Sequence, residues 1–157
     1  MSISYVIKGG SVVNGDGTVD DNATVMLHST ICESATAKGD SVIGRSTIAG
    51  NAVVDGSSVV MDAHVAGSTE LNGEYIGKNG FVTDNTHYLY MRIAGIGYTI
   101  HRTHSDAKGF GAQIMCEDGK KVTEVKLKQL VTSDPAFRAL QFAFNAQKKL
   151  YQLENSE

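Results

Sequence analysis

Gly50-Asn51-Ala52-Val53-Val54-Asp55-Gly56-Ser57-Ser58-Val59-Val60 decides the fold. The stretch holds one phrase twice, six residues apart: a glycine, a free position, a small residue, a second free position and an aliphatic one. Followed in both directions, the aliphatic position recurs in thirteen rungs from Val13 to Val82, through Val25, Ile31, Ile43, Ile48, Val65, Leu71 and Ile76 among others. Two residues before each rung stands a small side chain, such as Ser29, Ser41, Ala52 or Ala63, with Glu74 as the exception. A short fixed period marks a solenoid, in which each unit buries its apolar side only by stacking on its neighbours. Gly39, Gly50, Gly56 and Gly67 fall two residues after a rung, where a residue without Cβ bends most easily.

Three steps are five residues long: Ile43 to Ile48, Val60 to Val65 and Leu71 to Ile76. The first two lie seventeen residues apart and should stack at one corner, keeping the register. Upstream, Ile3-Tyr5-Ile7 alternates like a strand that caps or enters the repeat.

The 157 residues, 41% hydrophobic, suffice for a packed interior. No charged leader precedes an apolar run, and no apolar run reaches membrane-spanning length, so a cytoplasmic location without signal peptide or membrane span is expected. Cys32 and Cys116 lack CxxC or Cys/His spacing, which argues against a disulfide framework or a zinc site. The net charge is −3; residues 1–83 carry four Lys/Arg against nine Asp/Glu, and residues 84–157 carry ten against eight. That balance lacks the basic excess of a nucleic-acid-binding face.

The repeat resembles the hexapeptide-repeat superfamily, whose members fold as left-handed parallel β-helices of triangular cross-section. The resemblance spans about half the chain and implies three rungs per turn, hence a little over four coils. Every third rung then shares a face. A largely polar face carries Thr18, Asp20, Thr36, Lys38, Val53, Asp55, Glu70 and Asn72, and a mixed one carries Thr30, Cys32, Thr47, Ala49, His64, Ala66 and Phe81. An apolar face carries Thr24, Met26, Val42, Val59, Met61 and Tyr75. An apolar stripe on a rigid face is an interface. Met26, Val42, Val59, Met61 and Tyr75 are accordingly expected to pack against other copies, as in the trimers common among proteins this resembles, or against the C-terminal domain.

From residue 84 the rhythm changes to an α+β pattern, so the chain divides into a β-helix with its capping strand (1–83) and an α+β domain (84–157). Strands are expected from His87 to Ile93, Tyr98 to His104 and Ala112 to Cys116, with Ala94-Gly95-Ile96-Gly97 as the hairpin turn. Thr123 caps a helix over Glu124 to Val131, and Asp134-Pro135 opens a second whose Phe137, Leu140, Phe144 and Tyr151 share a face. With Leu89, Met91 and Ile93 toward the helices, Tyr88, Tyr90 and Arg92 share the other side of the sheet, joined by His101 or Arg102 according to register. Tyrosines interleaved with arginine bind peptide, nucleotide or single-stranded nucleic acid by stacking and charge; the competing expectation is that this side packs on the end of the β-helix.

The best-known enzymes with this repeat are acyltransferases using acetyl-CoA or acyl carrier protein, with a catalytic His at an intersubunit cleft. Here His64 occupies a free outward position, and no long loop is extruded between rungs. His101 and His104 lie three apart on a strand and point to opposite faces, so no metal, cofactor or catalytic residue is assigned. The element order, with Gly95-Ile96-Gly97 before Tyr98 to Cys116 and two helices after, is similar to small phage- and prophage-encoded hexapeptide proteins. That similarity implies a non-enzymatic, oligomeric interaction protein, a trimer by preference, which binds a host or viral macromolecule and inhibits a bacterial defence system. Acetyl-CoA-dependent acyltransfer and nucleotide or small-molecule binding stand as the alternatives.

Overall fold

Inward aliphatic side chains form the axis of a parallel β-solenoid in the computed structural model, which describes residues 5–103 and 111–154. Val25, Ile31, Ile43, Ile48, Val54, Val60, Val65, Ile76 and Val82 are all 0% exposed, so each of these nine rungs contributes a fully buried side chain, worth roughly 1.5–3 kcal/mol apiece. The rungs sort into three parallel sheets. The apolar face stacks Val6–Ile7, Thr24–Met26, Val42–Gly44, Val59–Met61 and Tyr75–Ile76. The mixed face stacks Val12–Val13, Thr30–Ile31, Thr47–Ile48, His64–Val65 and Phe81–Val82. The polar face stacks Thr18–Val19, Thr36–Ala37, Val53–Asp55 and Glu70–Asn72. The register places Val59 between Val42 and Tyr75, and His64 between Thr47 and Phe81.

Two five-stranded sheets and one of four strands make about five turns, one rung more than the aliphatic count gives. The difference lies in Val6–Ile7, which is itself a rung: it pairs in parallel with Thr24 and Val25. Its inward residue Ile7 is 40% exposed because no described coil lies beneath it, and Ile3 falls outside the described residues.

Small residues before each rung fill the tight corners, and serine does more than fit. The Ser11 hydroxyl accepts the Ser29 amide, the Ser29 hydroxyl that of Ser46, and the Ser46 hydroxyl that of Ala63, at 3.0–3.2 Å. Ser29 and Ser46 also donate to the carbonyls of Met26 and Gly44. A ladder of hydroxyls thus pairs corner amides that the sheets leave out. Gly50 shows why glycine recurs at the bends: its φ is 63°, and a Cβ there would lie 2.8 Å from the Gly67 nitrogen one coil on.

The corner between the apolar and mixed faces differs. Leu27, His28, Arg45, Asp62 and Asn79 occupy it, all with φ between 45° and 65°. A side chain held there costs about 1 kcal/mol relative to glycine. Both seventeen-spaced short steps stack at this corner, and the Arg45 guanidinium forks onto the Asp62 carboxylate at 2.6 and 3.1 Å. The third short step falls at another corner, beside Gly73 and Glu74.

Tyr88–Ile93, Ile96–Arg102, Ala112–Cys116 and Lys121–Val122 form an antiparallel sheet in that order. The hairpin turn is tighter than the glycine spacing suggests: Ile93 pairs with Ile96, leaving only Ala94 and Gly95 in the bend. Lys121–Val122, too short to show alternation, adds a fourth strand. His104 lies outside the described residues.

Thr123 accepts the Lys126 amide and starts α1 (Glu124–Ser133); Asp134 accepts the Ala136 amide and opens a single 3₁₀ turn at Pro135 before α2 (Arg138–Glu154). Phe137, Leu140 and Ala143 bury against Ile93, Tyr98, Ile100 and Ile114, with the Tyr98 and Phe137 rings edge-on at 5.8 Å.

Candidate functional site

A parallel solenoid ends on a coil whose amides have no next coil to meet. Here side chains of the C-terminal region take that place. The Tyr75 amide donates to the Thr99 hydroxyl at 3.0 Å and the Gly77 amide to His101 Nε2 at 3.0 Å. On the other faces the Glu70 amide donates to Asn85 Oδ1, and the Thr83 amide to His87 Nδ1. Tyr88 packs on the last coil of the core, and its hydroxyl donates to the Glu70 carbonyl. Burial and the nearby Glu74 carboxylate push that phenol up to about 12. Glu74 stands at the corner held by Ala23, Ser41 and Ser58 in the preceding coils, and its carboxylate accepts the Asn72 amide.

The register therefore divides the residues expected to form one binding surface. Tyr88 lies opposite His101, Tyr90 opposite Thr99 and Arg92 opposite Gly97, so His101, not Arg102, shares their side of the sheet. His101 is 0% exposed and belongs to the cap. Its Nδ1 donates to the Arg102 carbonyl at 2.8 Å, while Nε2 accepts from Gly77 and from the Gln113 amide at 3.1 Å. Desolvation pushes its pKa down to about 4, so the ring is neutral.

Arg102 points the other way, under α2. It donates to Gln147 Oε1 at 3.0 Å and to Glu154 at 2.5 Å, and lies 5.5 Å from the Tyr151 ring centre. Its Nη2 has no partner among the described residues.

Tyr90 and Arg92 remain at the rim, and they meet residues of the solenoid. The Arg92 guanidinium donates to the Tyr90 hydroxyl at 3.2 Å and to the Gly95 carbonyl at 2.5 Å, and lies 3.6 Å from Glu117. With Val59, Gly73, Glu74, Tyr75 and Ser57 they line a groove of about 360 Å³ along one edge of the apolar face. On the other edge a second cleft, about 450 Å³, is lined by Met61, Tyr75, Met115, Arg45, Lys78 and Lys121, among others. Tyr75 stands between the two, beneath the C-terminal sheet. Burial and the charges of Asp118 and Asp62 raise its phenol pKa.

The apolar face is partly self-covering. Met26, Gly44, Met61 and Gly77 stack in one outward column, and Met115 continues it from the C-terminal sheet. A Cβ on Gly44 would strike the Met61 thioether at 2.7 Å, and one on Gly77 the Met115 side chain at 2.7 Å. Methionine thus fills the space above glycine. Sequence reasoning missed Met115, Gln113, Lys78, Lys121 and Glu117. The Met/Gly alternation at the coil period is the one signal that announces part of the cleft.

His64 lies half-buried on the mixed face, stacked on Phe81 with ring centres 5.1 Å apart. No three His, Cys, Asp or Glu side chains among the described residues come together as a metal ion would need. No described helix is long and apolar enough to cross a membrane. Comparison with known proteins finds no matching family model, no matching curated protein and no matching solved structure. The site therefore stands on its own geometry.

Proposed function

We propose that the chain is a non-enzymatic interaction protein that presents the groove between Tyr90–Arg92 and Val59–Tyr75 to a host or viral macromolecule. The observation that carries this reading is convergence. Two surfaces far apart in sequence, an outward apolar column and a Tyr/Arg strand, line one open groove on a rigid frame. Tyrosine and arginine are the residues that most often anchor interfaces, and Arg92 is 56% exposed with hydrogen-bonding capacity to spare. Element order, as set out above, favours a phage or prophage source and a role in blocking a bacterial defence system. Trimeric self-association through the lower apolar face, around Met26 and Val42, is part of the same reading; both are half-buried, Val42 in line with Val59 and Met26 in line with Gly44 and Met61.

Capture from a bacterial lysate with tagged protein tests the first part. The expected result is one stoichiometric macromolecule, retained by the wild type and lost from the Tyr90→Ala/Arg92→Ala variant. Equal retention by both sinks the reading. Light scattering tests the second: three chains for the wild type and one for Val42→Glu are expected, and a monomeric wild type refutes it.

A further inference from the structure

The cleft on the other side of Tyr75 carries a different chemistry. Residues 1–83 contain only four Lys/Arg against nine Asp/Glu, yet two of the four, Arg45 and Lys78, line this one cleft. Lys121 joins them from the last strand of the C-terminal sheet, opposite Met115. Asp62 is the only carboxylate in the lining, and it is held by Arg45, whose hydrogen bonds keep its pKa below the usual carboxylate range. Neither Lys78 nor Lys121 has a carboxylate within salt-bridge distance among the described residues. A chain of net charge −3 thus keeps two ammonium groups outside salt-bridge contact at one concavity, with the Asp62 carboxylate already shared between Arg45 and the field of Lys78, and an anion there adds the charge that Asp62 alone does not supply.

The floor is of another kind: Met61, Met115 and the Tyr75 ring, with the amides of Asn79 and Gln113 at the sides. Thioethers adapt to a flat apolar body, and the exposed Asn79 amide supplies neutral donors and an acceptor for its edge, the Gln113 amide nitrogen being committed to the Lys78 carbonyl and to His101. The volume, about 450 Å³, lies in the range of small-molecule sites. The corner that supplies Arg45, Asp62 and Asn79 keeps side chains at positive φ where the other two corners mostly use glycine.

We infer that this cleft binds a small organic phosphate, a flat ring carrying a phosphate monoester, with the ring on Met61, Tyr75 and Met115 and the phosphate between Lys78 and Lys121. Two ammonium groups match a dianion, and lysine serves phosphate as a movable point charge. The inference goes beyond the interaction role and does not rest on it, since Tyr75 separates this cleft from the Tyr90–Arg92 groove.

The test is an NMR titration of the full-length, isotope-labelled protein with AMP, phenyl phosphate, inorganic phosphate, adenosine and a hexaglutamate peptide. AMP and phenyl phosphate should saturate, with amide shifts around residues 61, 77–79 and 119–121. Inorganic phosphate and adenosine should each bind about tenfold more weakly or worse, since either lacks half of the recognition. Lys78→Gln/Lys121→Gln should weaken AMP by about tenfold or more at an unchanged melting temperature, because both side chains are solvated. Tyr90→Ala/Arg92→Ala should leave AMP binding intact, so a failed interaction role and a failed phosphate site stay distinguishable. The inference is overturned by absence of saturation with AMP and phenyl phosphate, by inorganic phosphate binding as tightly as AMP, by AMP affinity surviving in the double-lysine variant, or by hexaglutamate alone occupying the cleft.

Discussion

His101 illustrates how far one side chain can be committed. Both ring nitrogens are used, one donating to Arg102 and one accepting from Gly77 and Gln113, and the ring is fully buried. Protonating Nε2 would destroy two acceptor contacts inside the protein, whereas in the unfolded chain the ring titrates near 6.5. Above that pH both states are neutral and stability is full. As pH falls from 6.5 through about 4 the unfolded chain takes up a proton that the native state refuses, and roughly 3 kcal/mol is lost. Urea unfolding between pH 7 and 4 should show this slope in the wild type, and it should flatten by about one proton in His101→Phe. That variant should also cost about 2 kcal/mol at neutral pH, since the Gly77 amide and the Gln113 side chain lose their acceptor. An identical slope in both proteins would assign the pH dependence elsewhere. Strand alternation puts His101 beside Tyr88 without saying what that side of the sheet meets, so burial at this position was illegible in the sequence.

At the scale of elements, the solenoid and its cap obey different kinds of legibility. Every turn of the solenoid repeats one local bargain: an aliphatic residue inward, a small residue at the corner, a left-handed bend after. Its three faces follow from counting, and they stack as the count says. Val6–Ile7 escaped because a rung without a small residue before it, Tyr5 in this case, breaks the pattern while still pairing with the next coil. The cap is not periodic. Thr99, His101, Asn85 and His87 each meet a coil amide through tertiary placement, for which no spacing rule exists. Its contribution is measurable. Thr99→Val removes the acceptor of the Tyr75 amide while keeping shape, and should cost about 1–2 kcal/mol with faster hydrogen exchange at Tyr75. Exchange at Val42 and Val54, deep in the stack, should follow global unfolding alone. Unchanged protection at Tyr75 would show that Thr99 is a neighbour and not a cap.

At the scale of the molecule the two ends of the solenoid are unequal among the described residues, and that inequality predicts its association behaviour. At the C-terminal end Tyr88, the antiparallel sheet and its side-chain acceptors cover the last coil, so Leu71, Ile76 and Val82 are at most 1% exposed. At the N-terminal end, among the described residues, the inward Ile7 is 40% exposed. An uncovered end of a parallel stack offers both unpaired strand edges and core side chains, the two features that template end-to-end growth. A chain truncated after residue 83 would carry two such ends. It loses the acceptors of Tyr75, Gly77, Glu70 and Thr83, together with the side chains that hide Ile76 and Val82. Polymers that grow with concentration and bind an amyloid dye are therefore expected from the truncated chain, against a fixed mass for the intact protein, by light scattering over the same range. Restoring the cap in trans, as residues 84–157 added in excess, should slow that growth by blocking one end. A truncated chain that stayed a monomer at every concentration would mean that the C-terminal region is attached to the solenoid without being needed to terminate it.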